Sequence, residues 1–163
     1  MTTRALRPLT ALAGLAALAV IFETPAATHH SFAMYDQGKV VTLTGVVRQF
    51  VPQANHAELH FILLAPDHTA LATDADGKPV EWGVEMAGTA QLAGQGVNRT
   101  TFGPGTVFSV HLHPLRDGSN FGARTGAMAK CPVDPATSKP KLPEAGKHCD
   151  SVPGRTLIGG NTF

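Results

Sequence analysis

The sequence predicts a small all-β domain, an OB-like closed or partly open barrel of about five to six strands with one short helix. Three observations support this fold class. Apolar and polar residues alternate in several short segments, as they do in strands with one buried face. Gly, Pro and Asp separate these segments. The length of 163 residues and the 43% hydrophobic content are typical of one globular domain. A two-sheet β-sandwich fits this pattern nearly as well.

The N-terminus has the pattern of a secretory signal peptide, which we assign to residues 1–26. Two arginines and no acid precede an apolar run at residues 10–22. That run is shorter than the ~20 residues of a membrane-spanning helix. Thr24 and Ala26 are the small residues that cleavage requires, so we expect a mature chain of residues 27–163 that is periplasmic or secreted. The alternative is an N-terminal core helix.

The mature chain opens with three strands. Residues 39–51 are rich in β-branched side chains, and the parity of the apolar positions changes between Gly45 and Phe50, which indicates a bulge. Residues 56–64 alternate between an apolar and a polar face, and so do residues 80–86. Each of these segments predicts one strand.

The second half predicts a helix and further strands. Residues 88–96 favour a short helix between glycines, and residues 106–114 alternate again and end at a proline. Residues 123–131 and 151–160 are expected to form a strand and its return.

Cys131 and Cys149 are the only cysteines. Because an exported protein meets an oxidising compartment, we expect a disulfide that closes the proline-rich loop 131–149. The alternative is a metal site built from both thiolates and His148.

Composition narrows the classes of function. The 13 basic and 12 acidic residues nearly balance, so the chain has no strong positive field that would attract nucleic acid. Neither a phosphate-binding loop nor a nucleophile elbow occurs in the sequence, and Glu81 and Glu85 lack a matched nucleophile. The sequence therefore does not predict an enzyme.

Histidine is the unusual residue, with eight copies, and the first group lies at the expected mature terminus. Cleavage after Ala26 makes His29 the third residue. Its imidazole, the terminal amine and two amides then form the square-planar nitrogen set that Cu(II) and Ni(II) prefer. Cleavage after Thr28 would instead make His29 the first residue, with His30 beside it as a second ligand. The alternative is an exposed histidine pair on a frayed end.

The other candidate ligands lie on two predicted strands. His56, Glu58 and His60 share one strand face, and His111 and His113 repeat the spacing on another strand. Paired strands lie ~4.8 Å apart, so four imidazoles could converge on Cu, Zn or Ni if these two strands pair in register. The alternative is two solvated polar faces.

Five motifs, in order, carry a family resemblance: THHSFAMYD, KVVTLTGVV, EWGVEM, FGPGTVFSVHLHPLRDGSN and GRTLIGG. The chain resembles an uncharacterised bacterial family of small exported proteins whose mature chains begin Ala-His-His-Ser-Phe. The resemblance implies a β-rich exported domain and no particular activity. Two departures are Thr28 in place of Ala and Ala54-Asn55 in place of Asn-Pro before His56, and the Cys-bounded loop is atypical.

The sequence thus favours an exported, non-enzymatic binding protein that holds a transition metal, with copper ahead of zinc and nickel. The alternative is a structural module that presents a groove to another exported protein or a small ligand.

Overall fold

The protein is described from a computed structural model, which defines residues 32–159. Two predictions, the signal peptide at residues 1–26 and the pair His29 and His30, lie outside these described residues. The strands are β1 (Val41–Val51), β2 (Glu58–Leu63), β3 (Glu81–Glu85), β4 (Val107–Pro114), β5 (Phe121–Lys130) and β6 (Thr156–Ile158). One helix, α1 (Thr89–Gly94), precedes β4.

The first five strands close into a barrel. Strand β1 pairs with β2 on one side and with β4 on the other, both antiparallel. Strands β3 and β5 continue the sheet from β2 and β4, and a parallel pairing between them closes it. Strand β6 lies outside the barrel, along β5. The predicted OB-like barrel with one short helix is confirmed, and the sandwich alternative does not form.

Strand β1 carries the predicted bulge. Its register against β2 shifts between Val47 and Gln49. At Gly45 a Cβ atom would lie 2.6 Å from the carbonyl oxygen of Ile62. Glycine at this position therefore allows the backbone of β2 to approach closely.

The core fills the barrel with the apolar faces predicted from alternation. Leu59 and Phe61 of β2 are fully buried. Phe61 and Phe102 both pack edge-on against Phe108, with ring centroids 5.1 and 5.6 Å away. Helix α1 adds Leu92 to the same cluster.

A second apolar cluster surrounds the disulfide between Cys131 and Cys149, which forms as predicted. The cluster includes Val107 of β4, whose neighbour Phe108 faces the barrel core. Because side chains alternate along a strand, the cluster lies on the outer surface of the barrel. The disulfide thus anchors the loop 131–149 to the outside of β4.

Nothing in residues 32–159 forms a helix long and apolar enough to cross a membrane.

Candidate functional site

The first group of candidate residues forms a polar face on the outside of β2 and β3, which we call the β2–β3 polar face: His56, Glu58, His60, Glu81 and Glu85. Glu58 and His60 point outward because they alternate with buried Leu59 and Phe61. His60 Nε2 lies 2.9 Å from Glu58 Oε2, and His60 Nδ1 lies 3.9 Å from Glu81 Oε1. The predicted polar face of β2 therefore joins that of β3 to bring imidazoles and carboxylates together.

Glu85 links this polar face to the start of the described chain. His56 Nδ1 lies 3.2 Å from Glu85 Oε1, and the Tyr35 hydroxyl donates a 3.0 Å hydrogen bond to Glu85 Oε2. Tyr35 is only 2% exposed. Burial, reinforced by Glu85 and Glu58, raises the pKa of Tyr35 well above its usual range. The phenol therefore stays protonated at ordinary pH and holds the N-terminal segment on the carboxylate.

The histidines of β4 lie apart from His56 and His60. His111 Nδ1 is 2.7 Å from Thr42 Oγ1, and the His113 ring lies with its Nδ1 2.9 Å from the carbonyl oxygen of Lys39. Strand β1 lies between β2 and β4, so these two strands do not pair. The condition for convergence of His56, His60, His111 and His113 is therefore not met.

Two other histidines, His68 and His148, lie where the Cys-bounded loop packs against the barrel. His148 Nδ1 is 2.8 Å from Thr44 Oγ1, and His68 Nδ1 is 3.2 Å from the carbonyl oxygen of Pro143. Burial lowers the pKa of His148, and His68 and His111 lower it further, against the opposing effect of Asp150. The surroundings of His148, which include two other imidazoles, thus favour its neutral form.

Sequence reasoning missed this second group. It considered His148 only with the cysteines and did not select His68. The disulfide places His148 beside Cys149, whose backbone N–H donates to Ser109 Oγ on β4. No pattern in the sequence indicates which strand the loop 131–149 covers. Only the disulfide itself could have indicated that His148 lies near the barrel.

The described residues do not contain a complete metal centre. Within residues 32–159, no three His, Cys, Asp or Glu side chains are placed to hold one ion. Both cysteines are in the disulfide, so the alternative of two thiolates with His148 is wrong. The β2–β3 polar face offers imidazole–carboxylate pairs, whose nitrogen and oxygen atoms are of the kinds that transition metals bind.

Comparison with known proteins gives one match. The model of a family described as a family of unknown function (DUF6152) matches residues 17–124. The match ends early in β5, before the Cys-bounded loop. No curated protein and no solved structure matches the chain.

Proposed function

Because the chain belongs to the DUF6152 family, whose function is unknown, we propose its function from its own residues: it is an exported β-barrel protein that binds Cu(II) through His29. Removal of residues 1–26 in the periplasm leaves Ala27, Thr28 and His29 at the terminus. The terminal amine, two amides and the His29 imidazole supply the square-planar nitrogen set. Zinc and nickel are the less favoured ions, and the protein is a binding protein and not an enzyme.

The observation that supports this proposal is the contact between Tyr35 and the β2–β3 polar face. Tyr35 is fixed to the β2–β3 polar face by its hydrogen bond to Glu85. His30 precedes Tyr35 by five residues, and an extended chain of that length spans at most about 18 Å. The length of this chain segment therefore allows the terminal histidines to reach His56 and Glu85.

This reach would bring together two groups of candidate ligands that are far apart in the sequence. His30, His56 or His60 could add a further imidazole to a copper ion held by His29, because imidazole is a good Cu(II) ligand. The carboxylates of Glu58 and Glu85 add negative charge near the ion, which favours a cation. His111 and His113 lie on β4, which β1 separates from β2, and their rings contact Thr42 and Lys39.

The test is a calorimetric titration of the mature protein, residues 27–163, with Cu(II), followed by electron paramagnetic resonance. We expect one equivalent of Cu(II) with the hyperfine pattern of four nitrogen ligands. His29→Ala should lose at least about 100-fold in affinity, roughly 3 kcal/mol. The matched control, His113→Ala, should bind as the parent does, because its ring contacts the Lys39 carbonyl elsewhere.

A second variant distinguishes binding by the terminal nitrogen set from binding by histidines in general. One glycine added before Ala27 leaves every histidine in place but moves His29 out of the third position. We expect this variant to lose the four-nitrogen spectrum. Unchanged copper binding in both this variant and His29→Ala, or no micromolar uptake by the parent, would contradict the proposal.

A further inference from the structure

A separate cavity of about 370 Å³ opens at one end of the barrel. Its apolar lining includes Val41 and Leu43 of β1 and Trp82 of β3, which pack against the core but remain half-buried. An indole and two aliphatic side chains left partly open at the end of a barrel form an apolar surface for a small molecule. The volume lies at the lower end of the ~300–1,000 Å³ range of ligand pockets.

The wall of this cavity is held in place by hydrogen bonds between two segments. The backbone N–H of Asp36 donates to the Pro114 carbonyl at 2.8 Å, and that of Arg116 donates to the Met34 carbonyl at 3.0 Å. Arg116 Nε also donates to the Ala33 carbonyl at 3.0 Å. These bonds join the segment before β1 to the turn after β4, so the wall is preformed.

The rim of the cavity carries more positive than negative charge. Lys39, Arg116 and Asp36 all line it. Asp36 Oδ1 accepts a 3.2 Å hydrogen bond from the backbone N–H of Gly38. The hydrogen bond to the Ala33 carbonyl holds the Arg116 guanidinium through Nε. The two terminal nitrogens of the guanidinium take no part in that bond. A guanidinium fixed in this way presents the donor pair that a carboxylate accepts.

We propose that this cavity binds a small aliphatic carboxylate, with the carboxylate on Arg116 and Lys39 and the hydrocarbon on Trp82, Val41 and Leu43. A neutral apolar molecule would leave the cationic rim unused. A cationic molecule would be repelled by it. The site shares no residue with the proposed copper ligands, so the two proposals succeed or fail separately.

Trp82 supplies the assay, because it is the only tryptophan of the chain. The mature protein is titrated with hexanoate, which is transparent where indole absorbs, and the emission of Trp82 is followed. We expect a saturable change, and an affinity for 1-hexanol and for hexylammonium at least about tenfold weaker than for hexanoate.

Variants test whether the carboxylate of hexanoate binds Arg116 and Lys39. Arg116→Gln should weaken hexanoate binding about tenfold and Lys39→Gln at least about threefold, with little change in binding of 1-hexanol. Lys39 is exposed, and the hydrogen bonds that hold the wall come from Asp36 and Arg116, so Lys39→Gln keeps the test valid if Arg116→Gln disturbs folding. Lys139→Gln, an exposed change on the Cys-bounded loop, is the control and should bind as the parent does. No saturable change up to 10 mM, equal binding of 1-hexanol, or hexanoate binding unaffected by Lys39→Gln would overturn the proposal.

Discussion

Removal of the disulfide by the double substitution Cys131→Ala and Cys149→Ala should destabilise the barrel. The two cysteines are 18 positions apart in the sequence. In the chain-entropy model, opening a loop of that length costs about 3 kcal/mol through the unfolded state. Both cysteines are also buried in the apolar cluster with Val107 and Val152, so their loss removes packing as well. We expect the free energy of unfolding to fall by about 3–4 kcal/mol.

The assay is equilibrium unfolding in urea, monitored by Trp82 emission and by far-ultraviolet circular dichroism. The parent protein in strong reductant loses the bridge but keeps both side chains, so it should unfold at a urea concentration between those of the oxidised parent and the double variant. Lys139→Ala, within the same loop but exposed, should change stability by less than about 0.5 kcal/mol. A loss below about 1 kcal/mol in the double variant would refute the reasoning, because the loop would then be constrained without the bridge.

Three further predictions concern the core, one glycine and pH. Phe108→Ala should cost about 3–5 kcal/mol in urea unfolding, because it leaves a cavity between two rings, whereas exposed Leu157→Ala should cost under about 1 kcal/mol. Gly45→Ala should lower the melting temperature, because its Cβ would meet a backbone carbonyl of β2, and Gly94→Ala, with open space around it, should not. Burial chiefly lowers the pKa of His148, so below about pH 6.5 the unfolded chain binds more protons than the folded chain. Stability should therefore be full above that pH and fall as the pH decreases to 5.5, by at most about 1.4 kcal/mol per unit from this group. His148→Gln should flatten that fall, and an equal slope in the variant would contradict the assignment.

The strands and the core were predictable because they depend on local alternation. From Ala57 to Phe61, buried apolar side chains alternate with polar ones, and this period alone separates Leu59 and Phe61 from Glu58 and His60. The bulge in β1 was visible in the same way, as a change of parity after Gly45.

The pairing of distant strands could not be read from such a period. Residues 56–64 and β4 look alike, each with two histidines on one face, yet β1 lies between β2 and β4. The hydrogen bond from Tyr35 to Glu85 joins residues 50 positions apart. His148 reaches Thr44 from still farther along the chain, through a loop that has no regular pattern. These contacts depend on how the barrel closes, which alternation within one segment does not specify.

The most direct test of the copper proposal is native mass spectrometry of the exported protein. The full chain is expressed in a bacterium with copper in the medium and purified from the periplasm without chelators. We expect the mass of residues 27–163 with the disulfide formed, plus one copper ion. A mature chain that begins at another residue, or one that carries no copper and takes up none at micromolar concentration, would contradict it.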